Sequence, residues 1–186
     1  RDGRFGGRGA SGADGSRARL FSVELDAKGA AGTPVDLSKG LDGDTPSKPF
    51  GGDEEYAISP DGKRVVFSLR IAGRTEPWST NFDLYETPID GGATTNLTAA
   101  NLAWDTQPVF LGNGDLAYLA MDRPGFEADR FHVVVRGAKS GAARPLTLAW
   151  DRSVSRLGVA RDGKRLLATA DDTGQHALFS IDPASG

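Results

Sequence analysis

Hydrophobic and polar positions alternate in short runs along this chain. Val65, Phe67 and Leu69 point one way, while Arg64, Ser68 and Arg70 point the other. That is the period of a half-buried strand. A Gly-containing turn signal precedes each such run. Ser59-Pro60-Asp61-Gly62-Lys63 leads into Val65-Val66-Phe67, and Leu111-Gly112-Asn113-Gly114-Asp115 leads into Leu116-Ala117-Tyr118. Arg161-Asp162-Gly163-Lys164 leads into Leu166-Leu167-Ala168. The spacing is regular: Phe67 to Tyr118 is 51 residues and Tyr118 to Ala168 is 50. A Leu-Thr pair recurs at 97–98 and 146–147, 49 residues apart, and Ala-Trp-Asp recurs at 103–105 and 149–151, 46 apart. A Leu-aromatic pair appears at Leu20-Phe21, Leu84-Tyr85 and Leu178-Phe179.

The repeat predicts four short strands per unit. In the unit 54–98 they fall at about 54–59, 64–70, 82–89 and 93–98; in the unit 106–148, at about 106–111, 115–121, 130–137 and 142–148. Asp61-Gly62 and Asp90-Gly91-Gly92 supply the positive φ that a tight hairpin needs. Four antiparallel strands in each 40–50 residues is the signature of a β-propeller blade. The expected fold class is therefore all-β, a propeller segment of two complete and two partial blades. Residues 19–38 hold only the last two strands of a blade, and residues 154–182 only the first three of another. Residues 18–186 are read as the partial propeller, and residues 1–17 as a glycine-rich flexible loop or ragged end. Closed rings use about 4–8 blades, so the chain is expected to be a piece of something larger.

Composition narrows the picture. The chain has 186 residues, 25 of them Gly and 10 Pro, which favours many turns over long helices. The net charge of −3 gives no footprint for nucleic acid. The absence of cysteine excludes disulfides and thiolate metal sites, and no run of 18 apolar residues predicts a membrane helix.

Strand parity sorts the loops. The tight turns at 60–63 and 112–114 lie at one end of the units. The long segments 39–53, 71–81, 99–106 and 122–130 lie at the other, where binding residues tend to sit on a rigid scaffold. "DRPGFEADR" (122–130) is the densest cluster. Asp122, Glu127 and Asp129 offer carboxylates, Arg123 and Arg130 offer guanidinium forks, and Phe126 offers an aromatic wall. It fits an anchor for a charged peptide terminus. It also fits an internally paired loop that holds its own shape, and for any single residue that reading is preferred. Trp78 lies in a long irregular loop and is a candidate pocket wall. Trp104 and Trp150 are expected to pack between blades, with Asp105 and Asp151 hydrogen-bonded to turn amides.

Some chemistries find no support. There is no Gly-x-Ser-x-Gly nucleophile elbow. His132 is expected inside a strand and His176 in a short turn. Two histidines without cysteine do not suggest zinc, no EF-hand pattern occurs, and no cofactor is expected. Gly7-Arg8-Gly9-Ala10-Ser11-Gly12 fits Gly-x-Gly-x-x-Gly but follows no strand and opens no helix. Asn96-Leu97-Thr98 is a glycosylation sequon that coincides with the Leu-Thr strand ending.

Against these motifs a resemblance stands out. "AISPDGKRVVFS" (57–68) resembles the TolB-type propeller repeat. "SKPFGGDEEYAISPDG" (47–62), "EPWSTNFDLYETPIDGG" (76–92), "NLAWDTQPVFLGNGDLAYLAMDRPGFEADRF" (101–131) and "PLTLAWDRSV" (145–154) resemble the propeller of the prolyl oligopeptidase family of serine peptidases. The similarity is to its dipeptidyl-peptidase V and acylaminoacyl-peptidase-like branch, and it covers about residues 18–186. The resemblance implies a C-terminal α/β-hydrolase domain as partner, carrying a Ser-Asp-His triad, with the propeller restricting access to short peptides. It also implies a periplasmic or secreted placement. No catalytic residue carries over, because this chain matches none of the triad motifs. Glu127, Asp129 and Arg130 carry over as loop candidates, beside Arg123, Phe126 and Trp78 from the residue reading. Glu54-Glu55 matches a paired-Glu anchor of some relatives but precedes a strand start, so the role is not transferred. The expected function is that of a non-catalytic propeller segment that gates and positions peptides. The alternative is a TolB-like interaction module without a hydrolase; a third, remote reading is an independent enzyme using Asp and Glu across the propeller face.

Overall fold

A computed structural model describes residues 16–186. The glycine-rich stretch 1–17 and its Gly-x-Gly-x-x-Gly motif lie outside the described residues, apart from Ser16 and Arg17. Among the described residues thirteen strands form four antiparallel sheets. The first holds only β1 (Phe21–Ser22) and β2 (Val35–Asp36). The second runs β3 (Tyr56–Ile58), β4 (Arg64–Leu69), β5 (Asp83–Pro88), β6 (Thr95–Asn96), paired in chain order. The third repeats this with β7 (Asp105–Phe110), β8 (Leu116–Ala120), β9 (His132–Arg136) and β10 (Ala143–Pro145). The fourth has β11 (Val154–Val159), β12 (Leu166–Asp172) and β13 (Gln175–Ile181). This is the expected pattern of two whole and two partial four-stranded units.

The repeated motifs each do one local job. Asp61 Oδ1 accepts from Lys63 N–H, Asn113 Oδ1 from Asp115 N–H and Asp162 Oδ1 from Lys164 N–H. Gly62, Gly114 and Gly163 then turn the chain at φ of +69°, +88° and +71°. The Leu-Thr pair closes each whole unit. Leu97 N–H donates to Leu84 O and Leu146 N–H to Val133 O. Thr98 Oγ1 then accepts the Leu84 N–H and Thr147 Oγ1 the Val133 N–H, each at 2.9 Å. A buried strand donor is satisfied by a side chain where the outer strand stops. Thr98 is 7% exposed, so the structural account of the Asn96-Leu97-Thr98 sequon holds.

The half-buried reading of β4 needs correction. Val65, Phe67 and Leu69 pack with Leu37 and Tyr85 toward the first sheet. Val66, on the other face, packs with Leu116, Tyr118 and Val134 of the third sheet. Ser68 is also fully buried and donates to Asp105 O at 3.0 Å. Both faces are covered because the sheets stack on one another, and alternation then separates two cores rather than core from solvent. The next interface repeats the device, with Ala117, Leu119 and Val133 against Val154, Leu157 and Leu166. The first strands of successive sheets adjoin, β3 against β7 and β7 against β11. The Gln107 amide crosses between β7 and β11, donating to Ser155 O and accepting from Leu157 N–H. Among the described residues no helix is long and apolar enough to cross a membrane.

Candidate functional site

The long segments do gather at one end of the stacked sheets, as strand parity requires. Gly125 N–H in 122–130 donates to Thr80 Oγ1 in 71–81 at 2.9 Å. Arg130 reaches the segment after β10, donating to Leu148 O at 3.0 Å and Thr147 O at 3.5 Å. Segment 39–53 closes on β4 so tightly that a Cβ on Gly43 would lie 2.5 Å from Arg70 O. The tight turns meet at the opposite end, where Gly112 N–H donates to Gly163 O at 2.9 Å.

Within 122–130 one ion pair, Arg123 with Asp129, braces the loop. Arg123 grips Asp129 Oδ1 through Nε at 2.9 Å and Nη2 at 2.8 Å. Asp129 Oδ2 accepts the backbone N–H groups of Asp122 and Arg123. Burial opposes the Asp129 charge, but the Arg123 fork and the surrounding amides outweigh it and hold the carboxyl far below the usual range. The Arg123 guanidinium also lies over the Phe126 ring at 4.1 Å. Asp129, Arg123 and Arg130 thus shape the loop, and Phe126 backs the guanidinium. Glu127 is exposed, and Trp78 is 68% exposed on the neighbouring loop. The loop reads as a braced scaffold presenting Glu127 and the outer face of Phe126, with Trp78 exposed on the loop beside it.

Beneath these loops lies a buried polar and aromatic row between the second and third sheets. The Phe82 ring stacks on Trp104 at 4.6 Å, and Trp104 meets Phe131 edge-on at 5.7 Å. The expectation that Trp104 packs between blades holds. Trp150 does the same between the third and fourth sheets, packing against their shared core and meeting Phe179 of β13 edge-on at 4.7 Å. The expected role of the two Asp residues fails. Asp105 is 1% exposed and its Oδ1 accepts from the Asn101 side chain, while Asp151 stands outside, paired with Arg152. Burial pushes the Asp105 carboxyl up to about 7, with Asp83 and Asp122 adding to the rise. His132 opens β9 and is 4% exposed. Burial lowers its proton affinity against the Asp122 carboxylate, whose Oδ2 lies 3.6 Å from Nδ1. His176 is not in a turn. The turn is only Thr173-Gly174, so His176 sits on β13 opposite Asp171, with Nδ1 2.9 Å from its carboxylate.

A second feature was not legible in the sequence. Segments 39–53 and 71–81 enclose a cavity of about 90 Å³, lined by Arg17, Lys48, Arg70, Asp42, Asp44, Glu76 and Phe82 among others. These residues are scattered over 66 positions, and no motif joins them. Among the described residues no grouping of His, Asp and Glu has the arrangement of a metal site.

No protein-family profile matches the chain. Dipeptidyl-peptidase 5 of Porphyromonas gingivalis is 28% identical over 156 residues, spanning 83% of this chain and 23% of that protein. Dipeptidyl-peptidase 5 of Aspergillus fumigatus is 33% identical over 149 residues, 74% of this chain and 21% of that protein. The chain therefore spans about a quarter of the length of the curated relatives it matches. Among solved structures, a protein described as a TolB from Agrobacterium tumefaciens superimposes with a TM-score of 0.61 at 16% identity, covering 90% of this chain and 60% of that one. TolB from Acinetobacter baumannii gives 0.59 at 16% identity, over 90% of this chain and 39% of that one. The chain is a β-propeller segment, related in sequence to dipeptidyl-peptidase 5 proteins and TolB-like in fold.

Proposed function

We propose that this chain is the non-catalytic propeller part of a serine exopeptidase of the dipeptidyl- or acylaminoacyl-peptidase type. Its role is to restrict access to short peptides and position them for a C-terminal α/β-hydrolase domain. The observation that carries this reading is the sequence match to dipeptidyl-peptidase 5 proteins across most of the chain. The loop end supports it. A braced loop holds Glu127 and Phe126 toward solvent, beside the exposed Trp78 of the neighbouring loop, where a peptide's ammonium and apolar side chains find complementary groups. The chain itself offers no nucleophile elbow, so the chemistry belongs to the hydrolase domain.

The test is to assay the full-length protein with dipeptidyl and acyl-aminoacyl 4-nitroanilides, before and after a fluorophosphonate that modifies active serines. Cleavage abolished by the reagent is the expected result. In the same assay Glu127→Gln raises KM for free-amino dipeptides at least threefold and leaves kcat within twofold. Absence of both cleavage and labelling rejects the peptidase reading and leaves a TolB-like interaction module, the second reading.

A further inference from the structure

The cavity between segments 39–53 and 71–81 is built from ion pairs of unequal permanence. Asp44 is the fixed member: its side chain is 13% exposed, accepts the Ala18 N–H and lies 3.1 Å from Lys48 Nζ. Asp42 and Glu76 are the exposed members, with side chains 73% and 67% exposed. Asp42 pairs with Arg17 at 2.8 Å. Glu76 approaches Arg70 Nη2 only to 3.6 Å, beyond a good hydrogen bond, and its charge also reaches Arg17.

Arg70 is held for a task on its remaining edge. Its guanidinium lies over the Phe82 ring at 5.2 Å, and Nη1 donates to Ser79 O at 2.7 Å. Phe82 is 8% exposed and locked in the aromatic row under Trp104, so the platform does not move. One edge of a pre-oriented guanidinium is therefore left to a loosely held acid on an exposed loop. Displacing Glu76 would leave Arg70 without an ion-pair partner among the described residues, while Arg17 and Lys48 keep Asp42 and Asp44. A cavity of about 90 Å³ holds roughly three water-sized groups, enough for a carboxylate and the carbon that bears it.

We infer that this cavity is a carboxylate-binding site for short peptides, in which Glu76 is an internal counter-ion that the ligand's carboxylate displaces from Arg70. A planar guanidinium binds a carboxylate by two parallel hydrogen bonds, a better geometry than the present 3.6 Å contact. The ligand's carboxylate is either the C-terminal group of a peptide or an Asp or Glu side chain. The choice of short peptides as ligands rests on the peptidase reading, whereas carboxylate binding at Arg70 needs no hydrolase domain.

Calorimetric titration of the full-length protein with three amino-blocked probes tests it: acetyl-Ala-Ala, its C-terminal amide, and acetyl-Ala-Glu-amide. The expected result is that one or both carboxylate probes bind at least tenfold tighter than acetyl-Ala-Ala-amide. The tighter of the two identifies the source of the carboxylate. Glu76→Gln, on an exposed loop, is expected to tighten that probe at least threefold, and Arg70→Gln to weaken it at least tenfold. Failure of both carboxylate probes to bind tighter than acetyl-Ala-Ala-amide overturns the proposal, as does a Glu76→Gln variant that binds no tighter. Displacement by equimolar inorganic phosphate also overturns it, because a general anion site would lack the planar selection. The blocked amino groups keep this result separate from the nitroanilide assay, so either proposal can fail alone.

Discussion

Asp105 keeps a proton that an exposed aspartate releases near about pH 4. Its folded-state value is raised to about 7, so the unfolded chain gives up the proton first as pH rises. Stability is therefore lost across the window from about pH 4 to 7, with a limiting slope of roughly 1.4 kcal/mol per pH unit. His132 works in the opposite direction. Its folded value is depressed, so its contribution is lost as pH falls below about 6.5. Asp83, Asp122, Asp129 and Arg130 face the same cluster and set the balance. Asp105→Asn removes the acidic titration and leaves the shape. Urea unfolding at pH 5 and pH 8 is expected to show the variant gaining stability on wild type as pH rises; an unchanged difference means that Asp105 ionises normally. Of this cluster the sequence displayed only the Trp-Asp repeat. It did not separate Asp105 from Asp151, because identical dipeptides become buried or exposed according to what the next sheet places over them.

Turns are the elements most fully written in the sequence. The Asp61-Gly62, Asn113-Gly114 and Asp162-Gly163 signals each produced a turn, because the side-chain acceptor and the positive φ are local requirements. The contacts between turns are not local. Gly62 and Gly163 share the same turn and nearly the same φ, yet a Cβ on Gly62 meets nothing within 4 Å. On Gly163 it would lie 2.9 Å from Gly112 Cα, beside the hydrogen bond that joins the two turns. Gly62→Ala is expected to cost only the left-handed backbone strain, about 1 kcal/mol. Gly163→Ala is expected to cost at least about 1 kcal/mol more, through loss of the Gly112–Gly163 hydrogen bond. Equal urea midpoints for the two variants would show that the inter-turn contact contributes nothing. Strand ends were less legible: β6 and β10 are two and three residues long where six and seven were expected. The outer strand pairs only until the threonine hydroxyl replaces its hydrogen bond.

At the scale of the molecule, the fourth sheet ends on β13, whose outer edge carries no strand among the described residues. β13 is seven residues long and presents Leu178 at 69% exposure. Long apolar edges recruit other strands. The 186-residue chain by itself is therefore expected to self-associate in sedimentation velocity, and Leu178→Lys to shift it toward monomer. A variant that associates as wild type does would place the contact elsewhere. The sequence by itself determined the turns, the four-strand repeat, the Leu-Thr closures and the end of the molecule at which the long segments gather. All of these follow from local dihedral preference and from the two-residue period of a strand. Only the tertiary structure decided that β4 is buried on both faces, that Asp105 is buried while Asp151 is exposed, and that Arg17, Lys48 and Arg70 share one cavity. Those outcomes depend on which sheet stacks against which, a contact between residues far apart in the chain that no local pattern encodes.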